Sequence, residues 1–123
     1  MPIGKLGSVV LDCRDPLALA EFYAAILGGT TREQRDGEDV WVDLEGHGGS
    51  TLAFQASPGH VPPKFPSPDG AQQFHLDLTV DDLDAAEEQV LALGATVLDA
   101  ADRTRSWRVY ADPAGHPFCL CSG

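Results

Sequence analysis

The chain has 123 residues, room for one ordinary domain and not for two. Apolar residues make up 43% and charged residues 22%, and no apolar run approaches the roughly 18 residues or more that a transmembrane helix needs, which excludes such a helix. Eight Lys and Arg stand against 19 Asp and Glu, a formal charge of −11 that repels nucleic-acid phosphates and anionic lipid surfaces and otherwise serves solubility.

The first residues, Met1-Pro2-Ile3-Gly4-Lys5-Leu6, do not have the charged, apolar and small-residue zones of a signal peptide. Cys13, Cys119 and Cys121 are too few and too oddly spaced for a disulfide framework and fit a reducing compartment. The cytoplasm is the expected location.

Ser8 to Cys13 read as a first strand. Asp15 can then cap a helix with Pro16 at its first position, where the missing N–H costs nothing. Leu19, Phe22, Tyr23, Ile26 and Leu27 follow at i, i+3, i+4, i+7 and i+8, one apolar stripe. Gly28 stands where a left-handed C-terminal residue is wanted. Three strands are predicted next, at roughly 30–35, 38–45 and 50–56. Asp36-Gly37 turns between the first two, and His47-Gly48-Gly49 lies between the second and third.

From Ser57 to Gly70 the chain carries Pro58, Pro62, Pro63, Pro66 and Pro68. Such a run cannot enter a sheet interior, and an extended linker is expected over about 57–72.

The pattern of residues 8–29 then returns at 75–95. His75 to Val80 form the fifth strand, and Asp81 or Asp82 starts a helix with Leu83, Ala86, Val90 and Leu93 as its stripe. Gly94 stops it, and strands follow at roughly 95–100, 105–112 and 116–122, the last after the turn Asp112-Pro113-Ala114-Gly115. The predicted fold is α+β: two βαβββ modules, about 5–56 and 73–123, in one domain. Their mixed sheets are expected to curve into a cup with the helices on the outer face.

Alternation splits each strand into two faces. Val9, Leu11 and Cys13, then Val40, Val42 and Leu44, then Leu52 and Phe54 form apolar sets for the first helix. Phe74, Leu76, Leu78 and Val80, with Phe118 and Leu120, do the same for the second. The opposite faces mix polar, ionisable and aromatic groups. For the seventh strand, alternation sets Trp107 and Val109 against Arg108 and Tyr110 and leaves open which pair the helix covers.

Ser8, Trp41, Gln55, His75, Asp77, Arg108, Tyr110, Cys119 and Cys121 are the candidate lining of a small-molecule pocket. The alternative is a plain, wet sheet face. Asp77 and Arg108 could pair with each other or with a polar ligand, since a buried lone carboxylate is costly. His47, His60 and His116 fall in loops or turns.

Several pieces together carry a resemblance. They are Val10 to Pro16, Glu21-Phe22-Tyr23, Ile26-Leu27-Gly28, Leu52-Ala53-Phe54-Gln55, His75 to Leu83, Leu93-Gly94-Ala95 and Asp112 to Cys119. In this order and spacing the chain resembles the vicinal oxygen chelate superfamily, which includes glyoxalase I, bleomycin-resistance proteins, extradiol dioxygenases and fosfomycin-resistance enzymes. It is most similar to the small glyoxalase-like proteins. The resemblance implies the cup fold, a homodimer and a small organic molecule as partner, and the acidic charge already argues for no nucleic acid and no membrane.

It also implies where a divalent metal would sit. The family's ligands come from the first, fourth, fifth and eighth strands, which here are Ser8, Ala53 or its neighbour Gln55, His75 and Cys119. Only His75 matches, so the usual metal site is expected to be absent and no cofactor is required. The alternative cofactor is a divalent ion (Zn, Ni, Fe or Mn) on His75 with Cys119, Gln55 or Asp77, although residues two apart on one strand are spaced loosely for one ion. Cys119 and Cys121 alternatively pack as small apolar residues. The expected function is small-molecule binding, by sequestration or metal-independent chemistry. The alternatives are a metal-dependent lyase or isomerase of the glyoxalase type, and an interaction module without catalysis.

Overall fold

The computed structural model describes Pro2, residues 4–63 and residues 74–122. The chain forms two compact units, Met1–His60 and Val61–Gly123. Beyond residue 63, the predicted Pro-rich linker lies outside the described residues. Its described start turns after Ser57, whose N–H donates to the Cys13 carbonyl at 2.7 Å.

The first unit contains β1 (Val9–Cys13), α1 (Pro16–Leu27), β2 (Thr30–Asp36), β3 (Asp39–Glu45) and β4 (Leu52–Ala56). The strand order is β1-β4-β3-β2, with β1 parallel to β4 and the other pairs antiparallel. Asp15 caps α1, its Oδ1 accepting from the Ala18 N–H at 3.1 Å, and Pro16 opens the helix as predicted.

The stripe then buries Leu19, Phe22 and Tyr23 against the sheet. Tyr23 stacks on Phe54 at 5.8 Å and meets Phe22 edge-on at 5.0 Å. Leu11, Cys13, Val42, Leu44, Leu52 and Phe54 complete this core. Register and alternation therefore leave Val10, Asp12, Trp41, Asp43, Ala53 and Gln55 on the face away from α1.

The second unit repeats the order with β5 (Leu76–Val80), α2 (Leu83–Ala92), β6 (Thr96–Asp99), β7 (Trp107–Ala111) and β8 (Pro117–Ser122). Its strand order is β5-β8-β7-β6, again with one parallel pair, β5 with β8. Asp82 is the cap of α2, accepting from the Ala85 N–H at 3.2 Å. Of the predicted stripe only Val90 is fully buried. Leu93 lies past the last helical turn and Phe74 lies before β5, so neither periodicity extends to them and both are exposed.

The strands predicted near 95–100 and 105–112 are shorter, Thr96–Asp99 and Trp107–Ala111, and their pairing shifts register between Val97 and Asp99. The turn before β8 forms on Asp112, whose buried Oδ1 accepts from the N–H groups of Ala114 and His116 at 2.8 and 3.0 Å.

Candidate functional site

In the first unit, Trp41 and Gln55 are direct cross-strand partners on the face away from α1. Trp41 donates its indole N–H to Asp43 Oδ1 at 2.9 Å, which fixes the ring orientation. Beside them opens a cavity of about 440 Å³ lined by Gln34, Arg35, Asp36, Asp39, Trp41 and Gln55, among others. A second open cavity of about 510 Å³ shares Arg35, Val40 and Ala56 with it and runs to the N-terminus of α1. Arg35 is already tied to Glu33 at 2.9 Å.

Ser8 is half-buried just before β1. Alternation sets it on the same side as Val10. Ala53 is fully buried between its cross-strand partners Asp43 and Val10 and has no donor atom in its side chain.

In the second unit, Asp77, Cys119 and Cys121 lie on the face away from α2, and His75, which falls just before β5 and not within it as predicted, comes beside Asp77 and Cys119. Asp77 and Cys119 are register partners across the parallel pair. One nitrogen of His75, one oxygen of Asp77 and the sulfur of Cys119 all lie within 4.8 Å of one another. His75 Nε2 is 3.2 Å from Asp77 Oδ1. The expectation of loose spacing is thereby corrected. Alternate backbone positions on a strand are about 6–7 Å apart, but long side chains on one face lean together.

Burial foremost, then the Asp77 charge, pushes the Cys119 thiol up to about 12. The same two causes raise Cys121. Neither thiol is thereby prepared as a nucleophile.

Arg108 and Tyr110 do not share this face. They oppose Leu120 and Phe118 in register and point at α2. Arg108 is 4% exposed and donates to Asp84 at 2.8 Å, with Glu87 at 3.7 Å. Tyr110 donates its hydroxyl to Glu87 Oε1 at 2.7 Å and stacks on Phe118 at 5.7 Å. Of the two alternatives for Asp77 and Arg108, pairing with each other is therefore set aside, since Arg108 pairs with Asp84. Alternation separates the two sides of β7, but it does not say which side the helix covers.

The residues on the Cys121 side of β7 are Trp107 and Val109, in register with Cys121 and Cys119. Arg105 lies 3.8 Å over the Trp107 ring and pairs with Asp99 at 3.1 Å. Sequence reasoning missed Arg105, Trp107, Gln34 and Asp43 as neighbours of the candidate sites. Alternation already set Trp107 with Val109 and Asp43 with Trp41. The uniformly polar β2 gave no signal for Gln34.

The donor chemistry can be set against the four-strand metal set that the sequence resemblance implies. Ser8 offers a hydroxyl, Ala53 nothing or its neighbour Gln55 an amide oxygen, His75 an imidazole and Cys119 a thiol. Within that set only His75 and Cys119 carry strong donors for a divalent ion.

Comparison with solved structures places this architecture among known proteins. A glyoxalase/bleomycin resistance protein/dioxygenase family enzyme from Burkholderia phytofirmans PsJN is similar at 22% identity, with a TM-score of 0.71 and 97% and 98% of the two chains covered. TnmS3, an antibiotic binding protein from Streptomyces sp. CB03234, is similar at 19% identity and a TM-score of 0.66, covering 99% and 98%. The E126Q mutant of the fosfomycin resistance protein FosX from Listeria monocytogenes, complexed with Mn(II) and 1S,2S-dihydroxypropylphosphonic acid, shares 16% identity at a TM-score of 0.77, covering 99% and 94%. At these identities the likeness shows the fold alone. No curated protein matches the chain in sequence. The model of the glyoxalase-like domain matches residues 8–121. With two βαβββ units and that match over nearly its whole length, the chain belongs to the glyoxalase-like domain family within the vicinal oxygen chelate superfamily.

Proposed function

We propose that this chain binds a small organic molecule at the Trp41–Gln55 cleft of its first unit, independently of the family's four-strand metal set. The observation that carries the reading is the direct pairing of an indole and a primary amide on the face away from α1, at the wall of a cavity of about 440 Å³. An oriented indole supplies flat apolar area at small entropic cost, and an amide supplies both donor and acceptor groups. Together they suit a planar ring that carries polar substituents. The antibiotic-binding neighbour supports sequestration as the role. Metal-independent chemistry at the same cleft is the variant of this reading. The protein works as a homodimer in the reducing cytoplasm, consistent with its low and odd cysteine count.

The test uses the Trp107→Phe variant, which leaves Trp41 as the reporting indole, titrated with a panel of planar aromatic antibiotics. At least one is expected to quench the fluorescence and to raise the melting temperature of the unmodified protein. Trp41→Ala is expected to weaken that compound by about three- to tenfold. A compound that binds equally well to Trp41→Ala and Gln55→Ala overturns the cleft, and a panel without a single binder overturns the ligand class.

A further inference from the structure

Trp41 belongs to a row that crosses the first sheet: Asp12, Gln55, Trp41 and Gln34, each in register with the next. Asp36 and Asp39 face each other where β2 turns into β3. They stand two residues from Gln34 and from Trp41, and so on the same side of the sheet. Both line the cavity of about 440 Å³ together with Trp41 and Gln55. We propose that the molecule taken by this cleft is a cation, a planar ring that carries a protonated or quaternary nitrogen. The inference rests on the reading of the cleft given above and adds the charge class of its ligand.

The indole is the first reason. Its N–H donates to the Asp43 carboxylate at 2.9 Å, so the positive edge of the ring is already engaged and the electron-rich face is what remains for a partner. A cation over that face is attracted by the ring quadrupole, and more strongly where water is excluded. A neutral ring gains stacking alone.

The carboxylates are an independent reason. Like charges directly opposite one another on paired strands destabilise a sheet, and Asp36 and Asp39 are such a pair. Among the described residues no Lys, Arg or His forms an ion pair with Asp12, Asp36 or Asp39. The two arginines of β2 are engaged elsewhere. Arg32 contacts Asp43 and Glu45 at 3.5 and 3.3 Å. Arg35, in register with Val40 on the α1 side, contacts Glu33 at 2.9 Å. A cationic ligand beside Trp41 offsets the repulsion between Asp36 and Asp39, whereas a neutral or anionic one leaves or worsens it.

The test is calorimetric titration of the full chain with proflavine and with acridine at neutral pH. The two share one three-ring plane, and only proflavine is protonated there. We expect proflavine to bind at least about tenfold more tightly than acridine. The double variant Asp36→Asn/Asp39→Asn is expected to weaken proflavine at least about fivefold and to leave acridine unchanged. Asn-Gly suits the same tight turn as Asp-Gly, so the hairpin is kept. The control Glu21→Gln/Glu88→Gln removes two charges from exposed helix positions and should leave the ratio of the two affinities as it was. Equal binding of the two compounds, a ratio unmoved by the Asp36→Asn/Asp39→Asn variant, or a ratio that falls as far in the control overturns the cation. Trp41→Ala separates this inference from the reading beneath it. Equal affinities that both fall in Trp41→Ala overturn the cation and leave the cleft standing. Proflavine binding that Trp41→Ala does not change, or no binding of either compound, overturns both.

Discussion

Tyr110 and Arg108 carry polar groups into the one place of the second unit where an apolar core was expected. Tyr110 is fully buried, and its hydroxyl reaches Glu87 on α2. Arg108 comes from the same strand face and reaches Asp84 and Glu87. Among the described residues its Nε and Nη1 are buried without a hydrogen bond, so there the guanidinium is held by charge and by its contact to Asp84. The hydrogen bond from Arg103, foremost, holds the Glu87 carboxylate below its usual range. Burial, then the bond to Glu87, raises the Tyr110 phenol.

The signs of these shifts give a pH profile. Glu87 is more acidic in the folded chain, so its contribution is present above pH 4.5 and is lost as the pH falls from there. Tyr110 holds its proton more tightly when folded, so its contribution is present below pH 10.0 and is lost as the pH rises beyond it. Tyr110→Phe is expected to cost about 1–2 kcal/mol at neutral pH and to flatten the alkaline limb. Urea unfolding across the pH range measures both, and an alkaline limb of unchanged slope in the variant would sink the assignment.

At the level of elements the two helices are not equivalent. α1 buries Leu19, Phe22 and Tyr23 against its sheet, whereas α2 buries Val90 and adds the polar contacts of Asp84 and Glu87. Packing of the apolar stripe therefore secures α1 more than α2. The exit of α1 depends on two successive glycines with left-handed backbone, Gly28 at φ 81° and Gly29 at φ 92°. A Cβ at Gly28 would meet open space, but one at Gly29 would lie 2.5 Å from the Glu45 carbonyl oxygen. Backbone cannot yield there without breaking the β2–β3 pairing, in which Glu45 faces Thr30. Gly28→Ala is expected to cost about 1–3 kcal/mol, the backbone penalty alone, because φ 81° with ψ −164° is a region essentially confined to glycine. Gly29→Ala should cost clearly more, and chemical denaturation of the two variants side by side gives the comparison. Equal costs would show that the close approach to Glu45 is relieved.

For the molecule as a whole, the homodimer is the expectation to settle first. A short chain buries a modest share of its surface, and the sheets end on β1 and β2 and on β5 and β6. Light scattering should give twice the chain mass of 13.1 kDa. A mass of one chain at micromolar concentration would count against it.

The sequence by itself determined the duplicated βαβββ order, the Asp15 cap, the second cap to within Asp81 or Asp82, and the apolar side of most strands. These follow from local rules: a carboxylate before a helix, glycine after it, and alternation along a strand. Only the tertiary structure decided three things. It turned Arg108 and Tyr110 toward α2, because Arg108, Val109 and Tyr110 are all buried and such a strand shows no contrast between its sides. It set Trp41 beside Gln55, because register depends on hydrogen bonding between strands that residue order does not specify. It drew His75, Asp77 and Cys119 within reach of one ion, because Cys119 lies 42 residues beyond Asp77 and only parallel pairing makes them neighbours.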